Sequence, residues 1–334
     1  MRRRLTHWLH GIWYQGAAVP AGLAVLEWFH RLWRRWFPGR RRRPPRRSGP
    51  VVVVIGNLTA GGSGKTPLVI HLAHFFAARG LVTGVITRGY GGRRRRPRRV
   101  DPGADPRFEG DESVLLAQQC RGPVWAGRDR RAALRALTAA AAVQVVLADD
   151  GLQHRALPRD LEICLIDGER GLGNGRLLPA GPLRDPPERL AECDRVVYKG
   201  CQAPGLPLGA VMKLGLGPAI RLADGATRPL CDWQGMPVQA LAAIADPESF
   251  FHRLLALGLI VHRQAFPDHH FFTTADLAGL DPEMPVLMTA KDAVKWPRGT
   301  AFDAWQVPLE TVLPPAFEDW LNDAVHRLLD SGQS

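Results

Sequence analysis

Cysteine is scarce: five in 334 residues (Cys120, Cys164, Cys193, Cys201 and Cys231), with no Cys-x-x-Cys pair and no metal-ligand spacing to the histidines. This excludes a disulfide-stapled scaffold and a zinc ribbon, and the thiols are expected to be buried in a reducing compartment. Long apolar runs are missing as well. The most apolar N-terminal stretch, 11–29, is broken by Gln15, Pro20 and Glu27, whereas a spanning helix wants about 20 nearly uninterrupted apolar residues. There is no small-residue cleavage site of the kind that ends a signal peptide. No internal repeat occurs, and the low-complexity pieces are arginine runs such as 93–99, read as a solvated loop.

Acid is nearly absent from the first fifty residues. They carry twelve arginines (2–4, 31, 34, 35, 40–43, 46 and 47) against Glu27, a net of +11 out of the chain's +12, which leaves +1 for the remaining 284 residues. A near-neutral body argues against a nucleic-acid partner, whose groove needs positive charge around it. The basic arm also holds Trp8, Trp13, Tyr14, Trp28, Phe29, Trp33, Trp36 and Phe37. These amphipathic rings favour a headgroup boundary, and the arginines beside them are attracted to anionic lipid. The expectation is a segment, 1–49, that lies in a membrane interface. Beyond it, hydrophobic residues at 46% and charged residues at 23% are ordinary globular usage.

From residue 51 the chain alternates short β-branched runs with helical stretches. Strands are expected at 51–57, 82–87, 123–126, 143–148, 162–166 and 195–198, and helices at 67–79, 112–120 and 130–142. Val51-Val52-Val53-Val54-Ile55 has the continuous apolar pattern of a strand buried on both faces, so the expected class is α/β with a mostly parallel sheet between helices. The pattern weakens near residue 200, which suggests a core over 50–200 and a smaller α/β lobe over 201–334, with helices at 247–257 and 315–329 and a strand at 286–289.

Two runs carry chemistry. Thr59-Ala60-Gly61-Gly62-Ser63-Gly64-Lys65-Thr66 follows the first strand and opens a helix, the context of a P-loop. Glycines let backbone N–H groups curl around phosphate oxygens, Lys65 would reach the terminal phosphates, and the Thr66 hydroxyl would ligate Mg²⁺. Thr59 stands where the strict pattern has glycine, and Pro67 in the first turn has no intrahelical N–H partner to lose. The second run, 143–150, is an apolar strand ending in Asp149 and Asp150, the carboxylates that such proteins place in the Mg²⁺ shell.

Asp149-Asp150-Gly151-Leu152-Gln153-His154-Arg155, Ile166-Asp167-Gly168 and Gly173-Asn174-Gly175-Arg176-Leu177-Leu178-Pro179-Ala180-Gly181-Pro182-Leu183-Arg184 together resemble the tetraacyldisaccharide 4′-kinase (lipid A 4′-kinase) family. So do Gly56-Asn57-Leu58-Thr59, Thr87-Arg88-Gly89-Tyr90-Gly91-Gly92, Gly110-Asp111-Glu112, Asp268-His269 and Thr289-Ala290-Lys291-Asp292-Ala293-Val294-Lys295. The resemblance implies a P-loop kinase with ATP and Mg²⁺ that phosphorylates the 4′-hydroxyl of a lipid-anchored disaccharide 1-phosphate, at the cytoplasmic face of the inner membrane. It also implies that Asp111 and His269 act together on the attacking hydroxyl, and that Tyr90, Arg130, Arg184 and Asp185 surround nucleotide, metal and substrate. The family commonly has Glu where Asp185 stands. Sequence logic does not separate His269 from His270. The alternative is a membrane-associated nucleotide switch resembling partition ATPases, which usually carry a further lysine early in the P-loop that 59–62 lacks.

Overall fold

The computed structural model describes residues 2–36, 49–93 and 96–333; the arginines at 40–43, 46 and 47 lie outside them. Its strands are β1 (Val51–Gly56), β2 (Thr83–Thr87), β3 (Arg98–Arg99), β4 (Val124–Ala126), β5 (Val145–Asp149), β6 (Leu161–Asp167), β7 (Arg195–Lys199), β8 (Ala210–Leu216), β9 (Ala219–Arg221), β10 (Thr227–Arg228), β11 (Pro237–Ala242), β12 (Ile260–Ala265), β13 (Val286–Thr289), β14 (Ala304–Val307) and β15 (Leu309–Val312). Its helices are α1 (Arg2–Tyr14), α2 (Ala21–Trp36), α3 (Lys65–Ala78), α4 (Pro106–Glu109), α5 (Asp111–Gln119), α6 (Arg130–Ala140), α7 (Pro247–Ala256), α8 (Thr274–Leu277), α9 (Ala290–Ala293) and α10 (Pro315–Gln333).

One sheet runs β15-β8-β7-β6-β1-β5-β2-β4-β3, parallel except at its two edges. Alternate residues of the central strands feed opposite faces. Val51, Val53 and Ile55 pack against Leu68, Leu72 and Phe76 of α3 and Phe317 and Leu321 of α10, while Val52 and Val54 pack with Ala133 and Leu137 of α6. Both faces are therefore covered, which is why β1 reads as an unbroken apolar run. The second sheet, β10-β9-β14-β13-β11-β12, has its own core around Trp233, Phe251 and Trp305.

The expected change of unit at residue 200 is not where the first sheet ends. β8 joins β7, and after the second sheet the chain returns through Pro308 so that β15 pairs with β8 and α10 covers the first core. The pattern weakened there because these late elements are edge structure, with one face half exposed. The thiols also divide differently from expectation: Cys120 and Cys164 are buried, but Cys201 and Cys231 are exposed.

α1 and α2 dock on the 173–182 loop. Asn174 N–H donates to the Trp13 carbonyl (2.8 Å), and Trp13 Nε1 donates to the Pro179 carbonyl (3.1 Å). Glu27, an interruption in the sequence pattern, is a buried anchor: its carboxylate accepts from the Leu177 N–H (3.1 Å), Arg176 (3.3 Å) and Arg31 (2.8 Å). Glu27→Ala leaves the Leu177 N–H without its acceptor. We expect a loss of about 2 kcal/mol, read as a lower midpoint in urea at unchanged slope.

Candidate functional site

The P-loop joins β1 to α3, and the carboxyl ends of β1, β5 and β2 lie side by side, so residues that follow these strands meet at one edge of the sheet. Gly61 and Gly64 have φ of 112° and 88°, left-handed values that open the loop's backbone. Ser63 Oγ is buried without a partner among the described residues, a hydroxyl turned into the loop and ready for a phosphate oxygen. The Ala60 N–H, by contrast, is taken by the Pro182 carbonyl (2.7 Å), so Ala60 ties the loop to the 173–184 segment rather than offering a donor. Thr59 pairs there with Leu183 as a bridge, which explains a non-glycine at that place.

Lys65 Nζ donates to Asn57 Oδ1 (3.0 Å) and lies 3.4 Å from Asp150 Oδ1. Arg184 Nη1 donates to both Asp150 oxygens at 3.0 Å. Burial works against the Asp150 charge, but Lys65 and Arg184 outweigh it and hold the carboxyl below its usual range. Asp149 is the contrasting neighbour. Burial, with Glu112 and Asp150 adding to it, pushes its carboxyl up to about 7. Its Oδ1 has no partner among the described residues, while Oδ2 accepts a long bond from Thr87 Oγ1 (3.4 Å). A buried carboxylate oxygen left without a donor, at the end of a strand beside the P-loop, fits a divalent cation. Thr66 stands in the first turn of α3.

Arg130 lies at the same corner. It is buried, and its guanidinium donates to the carbonyls of Gly127 (3.2 Å), Asp149 (3.3 Å) and Asp150 (3.5 Å). Burial lowers its proton affinity to about 10. Its Nη donors hold the 149–150 corner in shape, while Nε has no partner among the described residues. Asp185 is likewise buried, accepting from Gln153 Nε2 (3.0 Å) and Arg155 (3.3 Å). Gln153 also donates to the Asn57 carbonyl (2.9 Å), so the shorter acid clamps the P-loop strand from behind.

The second lobe supplies the remaining part. His269 Nδ1 lies 2.7 Å from Asp111 Oδ2, across 158 positions of sequence. His270 turns away: its Nε2 meets Asp276 (3.0 Å) and its ring stacks on Phe266. The two adjacent histidines thus have different partners, His269 the acid of α5 and His270 its own segment. The Asp111 carboxylate is buried and the imidazole is the half-exposed member of the pair. Burial raises the Asp111 carboxyl, but the His269 hydrogen bond and the Lys291 charge overcome it and hold it below the ordinary carboxylate range. The same bond lifts His269 above its ordinary value. Gly110 makes this placement possible. It has φ of 86°, and a Cβ there would overlap the Tyr90 carbonyl oxygen.

Thr87, which touches Asp149, and Tyr90, whose ring lies 5.8 Å from that of His269, are three residues apart on one loop. The charge of Glu112, which follows Asp111 in the chain, acts on the Asp149 carboxyl, so the carboxylate end and the acid–imidazole pair are near neighbours. Among the described residues, the non-glycine positions with positive φ are Asp150 (50°) and His269 (62°), one in each of these groups. Strain of this kind concentrates at working sites.

A glycine-rich phosphate loop with its lysine, together with an acid–imidazole pair that joins the two lobes, defines a P-loop phosphotransferase. The comparisons agree. The family model for tetraacyldisaccharide-1-P 4′-kinase matches residues 19–326. A tetraacyldisaccharide 4′-kinase of Pseudomonas aeruginosa is 44% identical over 325 residues, covering 95% of this chain and 96% of that one. One of Chromobacterium violaceum is 48% identical over 284 residues, covering 81% and 82%. A crystal structure of LpxK from Aquifex aeolicus in complex with ATP matches with a TM-score of 0.71 and 26% identity, over 92% of this chain and 95% of that one. The chain belongs to the tetraacyldisaccharide-1-P 4′-kinase family.

Asn57, Gln153 and Glu27 were not singled out from sequence. Asn57 and Gln153 sit inside the family-like runs, but an amide announces no chemistry until its partner is known. Glu27 had one signal, an acid alone in a basic arm.

Proposed function

We infer that this chain is the lipid A biosynthesis kinase that transfers the γ-phosphate of ATP to the 4′-hydroxyl of a tetraacyldisaccharide 1-phosphate. The observation that carries the reading is the Asp111–His269 pair, whose neighbour Glu112 acts on Asp149 beside the P-loop, since a nucleotide switch has no use for an acceptor base. Lys65 draws γ-phosphate charge, and Ser63 and the 61–64 backbone cradle the phosphates. Asp149, with Thr66, would hold Mg²⁺, which when bound neutralises phosphate charge; Asp150, already paired with Lys65 and Arg184, orients those cations. The sugar hydroxyl gives its proton to the Asp111–His269 pair as its oxygen bonds to phosphorus, the bond to the β-phosphate oxygen breaks, and ADP leaves. Tyr90, 60% exposed beside His269, offers its ring as a floor for the sugar.

The substrate's anchorage calls for a membrane-facing surface, and α2 supplies a candidate. Val25, Trp28, Phe29, Leu32 and Trp36 are exposed at i, i+3, i+4, i+7 and i+11, opposite the buried Glu27. Among the described residues no helix is long and apolar enough to cross a membrane. We propose that α2 lies in the headgroup region of the cytoplasmic leaflet, aided by the arginines that precede and follow it. Trp28→Glu with Phe29→Glu is expected to reduce co-sedimentation with anionic vesicles at least about tenfold; binding equal to that of the parent protein rejects the assignment. The kinase reading is tested with γ-labelled ATP, Mg²⁺ and the disaccharide 1-phosphate lipid. Label appears in the lipid if it holds, and in inorganic phosphate alone if the protein is a switch.

A further inference from the structure

The 289–295 run has no part in the chemistry above, yet it places a cation at the seam between the lobes. Lys291 Nζ, on α9, lies 3.4 Å from Glu112 Oε1 and 3.6 Å from Asp268 Oδ1. Glu112 follows Asp111 directly, and Asp268 directly precedes His269. One ammonium thus bridges the two residues adjoining the two members of the pair, one from each lobe. The side chain is 21% exposed. Burial works against its charge, yet Glu112, Asp111 and Asp268 outweigh this and raise its proton affinity.

The rest of the run fixes the lysine's footing. Thr289 caps α9 by accepting from the Asp292 N–H (3.2 Å). Asp292, fully buried, accepts from the Ala243 N–H (3.1 Å) and pairs with Lys295 (2.9 Å), whose ammonium donates to the Ala243 carbonyl (3.3 Å). The same carbonyl accepts the His269 N–H (3.1 Å). The helix that carries Lys291 and the backbone that carries His269 are therefore anchored on one residue, Ala243.

We propose that Lys291 is a positioning residue for phosphoryl transfer, a cationic bridge that holds the Asp111–His269 pair closed across the two lobes. This rests on the reading of that pair as the acceptor base. Without the ammonium, Glu112 and Asp268, which adjoin the two members of the pair, lose the cation between them, and the seam opens where the pair must close. The groups facing His269 are Asp111, Asp268, Lys291 and the Tyr90 ring. Among these, the lysine opposes protonation of the imidazole, so its removal favours the imidazolium.

The test compares Lys291→Met, Lys291→Arg and Asp111→Ala in the full chain with ATP, Mg²⁺ and the lipid acceptor. Lys291→Met should lower kcat about 30-fold with the KM for ATP within about twofold, and move the acid limb of kcat/KM to higher pH. Lys291→Arg, which keeps the charge, should recover to within about threefold of the parent kcat, with the limb in place. If Lys291→Met does not fold, Asp268→Asn cuts the same bridge, and a kcat loss of about fivefold at constant KM for ATP is expected. Parent-like kcat in Lys291→Met, or an arginine variant no better than the methionine one, overturns the bridge while Asp111→Ala still loses turnover. Undiminished kcat in Asp111→Ala overturns the bridge together with the base it serves.

Discussion

Lys65→Ala is expected to lower turnover at least about 100-fold while the chain stays folded. The ammonium is held between Asn57 and Asp150 at the mouth of the P-loop, in a position to move onto a γ-phosphate that competes with Asp150. Removing it leaves Asp150 paired with Arg184, so the corner keeps a counter-ion and the fold keeps its charge balance. The loss should therefore appear in kcat and not in the urea midpoint. Lys65→Arg should recover little, because a bulkier, rigid planar fork does not replace a compact point charge inside a closed loop. Turnover near that of the parent protein in the alanine variant would remove Lys65 from the mechanism.

Asp111→Ala is expected to lower kcat by about 100- to 10,000-fold with ATP affinity nearly unchanged, since the carboxylate belongs to the proposed acceptor base. His269→Ala should fall in the same range, and the double variant should be little worse than either single one, as for groups acting as one unit. The pair also leaves a pH signature. His269 is raised by its bond to Asp111, so that contribution to stability is complete below the ordinary histidine value and is lost as pH rises through the folded one. Asp111 is lowered, so its contribution is present above the ordinary aspartate value and is lost as pH falls through the depressed one. The stability difference between the parent protein and Asp111→Ala should thus peak between the ordinary Asp and His values and shrink on both sides. An imidazole titration by NMR should show the His269 midpoint falling in Asp111→Ala; an unmoved midpoint would mean the two groups do not share a proton.

The nucleotide half of the site was legible because local sequence fixes it. β1, the 59–66 loop and α3 are contiguous, and Asp149-Asp150 ends the neighbouring strand. The acceptor half was legible only through the family-like runs. Asp111 and His269 meet across the seam between two sheets, and no periodicity reports a contact over 158 positions. Residue type gave no hint that the Arg130 guanidinium would bond three backbone carbonyls at the 149–150 corner. Glu27 misled, since a lone acid in an apolar stretch became the buried attachment of α2. β15 and α10 could not be assigned to the first core from sequence, because an amphipathic helix announces a buried stripe without saying which sheet buries it.

In the proposed reaction the P-loop phosphates and the Asp111–His269 pair address the same acceptor hydroxyl. A crystal structure of the full chain with a non-hydrolysable ATP analogue and Mg²⁺ measures it directly. The γ-phosphorus should lie roughly 5–7 Å from the nearer reactive atom of the pair, one attack distance plus one hydrogen bond. A γ-phosphate directed away from His269, or separated from it by protein, would contradict the claim.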